Sequence, residues 1–182
     1  MSMTINSFQD KLWKAQAIDN LDTARRILDD FKVPYFLSNG TLLGCIRDGD
    51  LIPHDTDVDL GIFIEDYKPE ILQAFLDKKF KVWGIYGELD NGYEISLTRG
   101  PKLDLFFYYH EGENDTMSVM SNNKQIKYVY PKFKTIDWTF LGEPTKIPEN
   151  YEEYLTAQYG DWKTPVVNWN YATDPKNKHI LD

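Results

Sequence analysis

Residues 55–64, "DTDVDLGIFI", place three carboxylates on alternate positions and then turn wholly apolar. A short apolar run bounded by a turn reads as a buried strand. Alternate side chains of a strand share a face, so Asp55, Asp57 and Asp59 project together if the strand begins early enough. Successive carboxylates then sit about 6–7 Å apart. At an effective dielectric of about 20, each adjacent pair repels by roughly 2–3 kcal/mol. A bound divalent cation removes that repulsion economically, and oxygen-only ligands favour Mg²⁺ or Mn²⁺ over zinc. An acidic turn in which Asp55 caps and the other two are solvated explains the three acids alone at least as well.

Two further pieces shift the balance. Asp104, in "KLDLFFYY", is a lone acid inside an apolar strand, where an unpaired carboxylate is expensive to bury. If residues 103–109 pair beside residues 58–64, Asp104 joins the same cluster. Upstream, "SNGTLLG" sets Gly40 and Thr41 at the start of a short helix just after a strand. Backbone N–H groups and a helix N-terminus receive phosphate in that geometry, although an ordinary capped turn has the same composition. Together the Gly-Thr turn, the Asp-x-Asp strand start and the later strand aspartate describe a phosphate and metal site.

The surrounding chain reads as one domain of 182 residues. Spacings of three and four from Phe8 to Phe31 predict an amphipathic helix over residues 7–31. A short strand in "KVPYFL", a helix after Ser38, a strand in "VDLGIFI" and a helix in "DYKPEILQAFLDKK" follow, with Pro69 in that helix's first turn. "FKVWGIYG", "GYEISLTRG" and "KLDLFFYYHEG" are strand-like, and a hairpin around "NNK" returns through "QIKYVYPKF". "IPENYEEYLTAQYG" is a final helix stopped by Gly160. The expected plan is an amino-terminal helix (1–33), a core (34–160) and an irregular tail (161–182). Its class is α+β, a mixed sheet with flanking helices.

Composition narrows function. The formal charge of -9 argues against a nucleic-acid partner, since phosphate backbones select basic surfaces. Twelve Tyr and five Trp serve core packing first and sugar- or base-binding clefts second. The single cysteine, Cys45, excludes internal disulfides, fits a reducing compartment and reads as a small buried residue. With no signal peptide and no apolar run near 18 residues, the chain reads as soluble and cytoplasmic, without direct membrane insertion.

The order Gly40-Thr41, then Asp57-Val58-Asp59, then Asp104 resembles the nucleotidyltransferase fold shared with DNA polymerase β. More narrowly, "LSNGTLLGCIRDGDLIPHDTDVDLGIF" is similar to the LicD/fukutin family, which carries G-T-x-L-G and then I-P-x-x-x-D-V-D. The likeness runs on through "DYKPEILQAF", "KLDLFFYY", "IKYVYPKF" and "YLTAQYGDWKTPV", over most of residues 35–170, and "DVDLGIFIEDYK" and "YPKF" stand nearest its fukutin branch. His54-Asp55 departs from the Trp-Asp common in LicD-type chains.

The resemblance implies a transferase that moves a phospho-alditol or phosphocholine-type group, such as ribitol 5-phosphate, from a CDP-activated donor to a sugar or glycan hydroxyl. It implies Mg²⁺ or Mn²⁺ on Asp57, Asp59 and Asp104, with Asp104 also a candidate proton acceptor. Asp55 is either an extra ligand or an acid behind the ligands. Gly40 and Thr41 hold the donor phosphates, with Ser38 or Asn39 assisting. Arg47, Arg99, Lys102 and Lys132 are the candidate cations for a diphosphate, Arg47 the best placed; each also serves as a solvated surface charge. His54 contacts phosphate or an acid, or is polar filling beside Pro53. Tyr159, Gly160, Asp161 and Trp162 wall the cleft, or Trp162 packs under the sheet. Two other functions use the same residues: transfer of a nucleoside monophosphate to a small hydroxylated acceptor, and silent binding of a glycan or nucleotide.

Overall fold

The computed structural model describes residues 3–53, 55–121, 124–166 and 168–181. The chain opens with helix α1 (Met3–Asp30), strand β1 (Phe36–Leu37), helix α2 (Asn39–Arg47) and strand β2 (Asp57–Phe63). A 3-10 turn at Ile64–Asp66 leads to helix α3 (Glu70–Asp77) and strands β3 (Lys81–Glu88), β4 (Asn91–Thr98) and β5 (Lys102–Glu111). Strands β6 (Asn114–Ser121), β7 (Lys124–Pro131), β8 (Thr135–Phe140) and β9 (Glu143–Pro148) come next, then helix α4 (Tyr151–Tyr159) and strand β10 (Lys178–Leu181).

The main sheet runs β1-β2-β5-β6-β7-β10, with the β3–β4 hairpin joined to β5 as a branch. Strand β5 is long enough to carry two neighbours on one edge. Its first half pairs with β4 from Lys102 to Phe106, and its second half pairs with β6 from Tyr109 to Glu111. On its other edge β5 pairs with β2 in parallel, Asp59 opposite Asp104. The expected neighbouring of these two strands is therefore found, in a mixed sheet flanked by helices.

Period-two alternation gives the sheet two unlike faces. Val58, Leu60, Ile62, Ile95, Leu97, Leu103, Leu105 and Phe107 are fully buried on one, the side of α1 and α3. Helix α1 is anchored there by polar groups that periodicity does not reveal. Asn20 Nδ2 donates to the Pro101 carbonyl at 3.0 Å, and buried Arg25 donates to the Phe140 carbonyl at 3.3 Å. The predicted apolar stripe is only partly buried, because Leu12 is 49% exposed and packing is continuous only from Ala17 onward.

The other face carries Asp57 and Asp59, then Gly61 and Phe63. Phe36 of β1 pairs with Gly61 and fills the space above it. Its ring joins an aromatic cluster with Phe63, Tyr108 and Phe133. Tyr130 and Tyr154 stack at 4.1 Å and tie α4 to β7.

Several boundaries differ from the sequence reading. Pro69 precedes α3 rather than occupying its first turn. Ile147 and Pro148 end β9, so α4 begins only at Tyr151. The β8–β9 hairpin was not foreseen; its turn residues, Leu141 and Gly142, both have positive φ, as a tight two-residue hairpin turn requires. Pro144 and Pro148 disguise β9, because proline marks strand edges. The tail is not wholly irregular: β10 adds to β7 with Lys178 opposite Tyr128. Strands β6 and β7 pair up to Ser121 and Lys124, as the hairpin around "NNK" requires, though residues 122–123 lie outside the described residues.

A Cβ at Gly61 would lie 2.4 Å from the Phe36 ring. Gly61→Ala should therefore destabilise the protein by about 1–3 kcal/mol through overpacking. The urea midpoint of the variant measures this; an unchanged midpoint would show that the aromatic cluster yields freely.

Candidate active site

Three strands and one helix start converge on a single row. Across the sheet it reads Asp59 on β2, Asp104 on β5 and Ser96 on β4, each the register partner of the next. A second row, one pleat away, holds Asp57 and Lys102. Asp57, Asp59 and Asp104 each offer one carboxylate oxygen within 4.8 Å of the others. Three hard oxygen donors so close match the preference of a Mg²⁺- or Mn²⁺-sized ion. The donor set fits such an ion and gives zinc no nitrogen or sulfur.

Helix α2 meets this row end-on. Asn39 enters the helix at φ 43°, and its side-chain oxygen accepts from Gln158 at 3.2 Å. The Gly40 N–H donates to Asp59 Oδ2 at 2.9 Å. A Cβ on Gly40 would stand 2.6 Å from Asp55 Oδ2, so a larger residue here would displace the Asp55 carboxylate. Thr41 is buried, and its hydroxyl accepts from the Asp59 backbone N–H at 2.8 Å. Thr41 thus pins the head of β2 to the helix. Ser38 is fully buried too; its backbone N–H donates to the Asp59 carbonyl at 3.3 Å.

The electrostatics follow from crowding. Lys102 Nζ lies 3.1 Å from Asp104 and 3.4 Å from Asp57. Burial alone would lower its pKa, but Asp104 and Asp57 outweigh that and hold it charged. Ser96 donates to Asp104 from the other side. Burial still pushes Asp104 above the ordinary carboxyl range, against the pull of Ser96 and Lys102. Asp59 is driven well above it, first by burial and then by Asp57, Asp55 and Asp104. Asp55 is pushed up to about 7 by burial and by Asp57, while accepting a hydrogen bond from its neighbour Thr56.

These groups open onto a cleft of about 1200 Å³. Gly40, Arg47, Asp55, Asp161 and Trp162 line it along with the acidic cluster, as does Tyr159 of α4. Arg47 is paired with Asp48 at 2.7 Å, and Asp161 accepts from Thr164 at 2.8 Å. Trp162 is both 8% exposed and part of the wall, so packing and lining coincide. Two candidate cations lie elsewhere. Arg99 pairs with Asp19 at 2.5 Å and stacks on Phe80, on the side of α1. Lys132 belongs to a separate cavity beside His110. Cys45 is buried. His54 lies outside the described residues.

Lys102 was only one of four candidate cations by sequence, and the structure sets it among the acids. Ser96 and Glu94 were missed, although they alternate with Ile95 and Leu97 along β4 and so had a period-two signal. Among the described residues, no helix is long and apolar enough to cross a membrane.

Residues 32–150 match the family model described as "LicD/FKTN/FKRP, nucleotidyltransferase domain". The chain is 35% identical over 178 residues to "Ribitol-5-phosphate transferase FKTN" of Mus musculus, which covers 94% of this chain and 38% of that protein. It is 30% identical over 152 residues to "Ribitol 5-phosphate transferase FKRP" of Homo sapiens, covering 76% and 30% respectively. The chain thus spans well under half the length of these curated relatives. Among solved structures it resembles the lincomycin-bound lincosamide antibiotic adenylyltransferase LnuA, with a TM-score of 0.50 at 15% identity over 75% of this chain and 83% of that one. This likeness bears on the fold, an α+β nucleotidyltransferase architecture.

The raised carboxyl values have a consequence for stability. Between about pH 4 and pH 8 the folded protein retains protons that ordinary unfolded carboxyls, with pKa near about 4, have released. In buffer without divalent ions, stability should therefore be greatest at the acidic end of that window and fall as pH rises through it. Urea midpoints at a series of pH values test this, and a midpoint that rises steadily from pH 5 to 8 would contradict it.

Proposed function

The chain belongs to the LicD/FKTN/FKRP nucleotidyltransferase-domain family, and from that premise we propose that it is a phosphotransferase dependent on Mg²⁺ or Mn²⁺. The group moved is a phospho-alditol or phosphocholine-type group, ribitol 5-phosphate being the example favoured by the names of its relatives. The donor is CDP-activated and the acceptor a sugar or glycan hydroxyl. The observation that carries this reading is the convergence of Asp57, Asp59 and Asp104 beside the Gly40 end of α2, at the mouth of a large cleft.

In the step proposed, the acceptor oxygen forms a bond to the phosphorus that bears the alditol. The bond from that phosphorus to the bridging oxygen breaks, and CMP departs with the electron pair. The hydroxyl proton passes to Asp104 and then to water. Asp57, Asp59 and Asp104 would hold the divalent ion, which when bound would supply electrostatic stabilisation of the charge that develops at the reacting phosphoryl group. The positive end of α2 and the Arg47 guanidinium orient the diphosphate. Lys102 holds Asp57 and Asp104 in place, and Thr41 keeps Asp59 at the correct height through its backbone. Asp55 stands behind the ligands, its carboxylate against Gly40. Asp161 and Trp162 close the nucleotide side of the cleft.

Incubating the protein and Mg²⁺ with CDP-ribitol, CDP-glycerol, CDP-choline and nucleoside triphosphates, with sugar acceptors, tests the proposal. CMP release from a CDP donor is the expected result. Pyrophosphate release would instead mark nucleotidyl transfer. With a donor in hand, Asp57→Asn should lower turnover by about 10²–10³, as loss of preorganised electrostatic stabilisation does. Near-normal turnover in a folded Asp57→Asn protein would remove that residue from the metal site.

Ion binding has its own readout. Mn²⁺ should raise the melting temperature of the wild-type protein, since a ligand of the native state adds stability. The same rise in a protein carrying both Asp57→Asn and Asp59→Asn would place the ion elsewhere.

A further inference from the structure

The row of acids divides the cleft into two ends. At one, α2 and α4 bring Gly40, Arg47 and Tyr159; at the other, the β3–β4 hairpin brings Trp83, Tyr86 and Glu94. In an in-line displacement the attacking and leaving oxygens lie on opposite sides of phosphorus. With the nucleotide at the α2 end, the attacking hydroxyl arrives from the hairpin.

That end has features the reaction has not yet used. Glu94 is 8% exposed, lines the cleft, and accepts no hydrogen bond among the described residues. Its carboxyl oxygens reach the open cleft rather than dry core, so a ligand's hydroxyl groups can take the place of water there. Burial, and then Asp104, push its carboxyl up to about 8 against the pull of Lys102, so near neutral pH the group is largely protonated and can both donate and accept. Its cross-strand partner is Tyr86, one pleat from the pair formed by Gly84 and Ser96. The Tyr86 ring lies across Gly84, where an added Cβ would stand 2.3 Å from the Tyr86 hydroxyl. The missing side chain therefore lets an aromatic ring fold toward Ser96 and Asp104. Trp83 sits at the register shift between Val82 and Gly84 and is 66% exposed, yet it lines the same cleft. An exposed indole at a β-bulge beside an active site is re-aimed by the bulge.

We infer that the β3–β4 hairpin is the acceptor subsite, in which the apolar face of a sugar ring lies on Trp83 and Tyr86 while Glu94 accepts a hydrogen bond from one of its hydroxyls. The acceptor is a neutral sugar. Of the described basic side chains lining the cleft, Arg47 is at the α2 end and Lys102 is engaged by Asp57 and Asp104, so neither is left to pair with the phosphate of a phosphorylated sugar. This assignment rests on the transfer reaction proposed above, but binding can be measured without turnover.

The test uses methyl glycosides of neutral hexoses and N-acetylhexosamines, with hexose 6-phosphates as controls, on the full chain. Saturation-transfer NMR should show a neutral glycoside bound to the wild type and not a 6-phosphate. Trp83→Ala should weaken that binding roughly tenfold, the scale of a lost stacking contact, and Trp83→Phe should restore most of it. Trp83 is exposed enough for substitution to spare the fold. In the CMP-release assay, Trp83→Ala and Glu94→Ala should each raise the acceptor KM roughly tenfold while the donor KM stays within twofold. Unchanged glycoside binding and acceptor KM in both folded variants would overturn the subsite, as would preferential binding of the 6-phosphates. Glycoside binding that depends on Trp83, without CMP release from any CDP donor, would keep the subsite and reject the transfer reaction.

Discussion

Asp59 and Asp104 face each other across a parallel strand pair, 6% and 3% exposed, with Asp57 and Asp55 alongside. Much of the local architecture answers that concentration of charge. Lys102 bridges Asp57 and Asp104, Ser96 donates to Asp104, and the Gly40 N–H at the positive end of α2 donates to Asp59. Even with these contacts, burial first and the neighbouring carboxylates second keep Asp55, Asp59 and Asp104 shifted toward their protonated forms. The native state is therefore built around a deficit of positive charge. A divalent cation is the ligand class that relieves it most directly.

That demand explains why β5 is the middle of the molecule. A carboxylate cluster needs strands on both sides to hold it, and β5 has β2 on one edge and β4 on the other at the level of Asp104. Further along, β4 gives way to β6, and the same face becomes the aromatic layer of Phe36, Tyr108 and Phe133. One face thus changes from charged to aromatic within a few residues, while the opposite face stays apolar throughout. Gly61 marks the change, because Phe36 occupies the space its side chain would fill.

The strands that carry the acids were legible because burial and charge conflict visibly in "DTDVDLGIF" and "KLDLFF". The neighbouring of β2 and β5 and the placement of α2 follow from residues readable in order, whereas the parallel direction of that pair does not. Features that depend on tertiary context were not legible. Asn20 and Arg25 read as surface polar residues, and only the carbonyls of Pro101 and Phe140 explain their burial. Strand β10 has an exposed Ile180 and no alternation to announce it, so its pairing with β7 is a matter of contact rather than pattern. Lys102 and Lys132 are alike in sequence, yet one lies on the row of acids and the other faces a separate cavity. The fold positions a cation, whereas composition only counts it.

In the reaction proposed, the division of the cleft separates chemistry from recognition. The carboxylates sit on β2 and β5, whose opposite faces form the apolar core, so those positions are held by packing on both sides of the sheet. Trp83, Tyr86 and Glu94 sit on a hairpin that joins the sheet only through β4, and Asp161 and Trp162 sit beyond the end of α4. Substitutions in the hairpin or tail can therefore reshape what the cleft admits without moving the acids. Ser96 is the exception, for it belongs to the hairpin and also donates to Asp104. Through that one hydrogen bond, a change in hairpin position is felt directly at the Asp104 carboxylate.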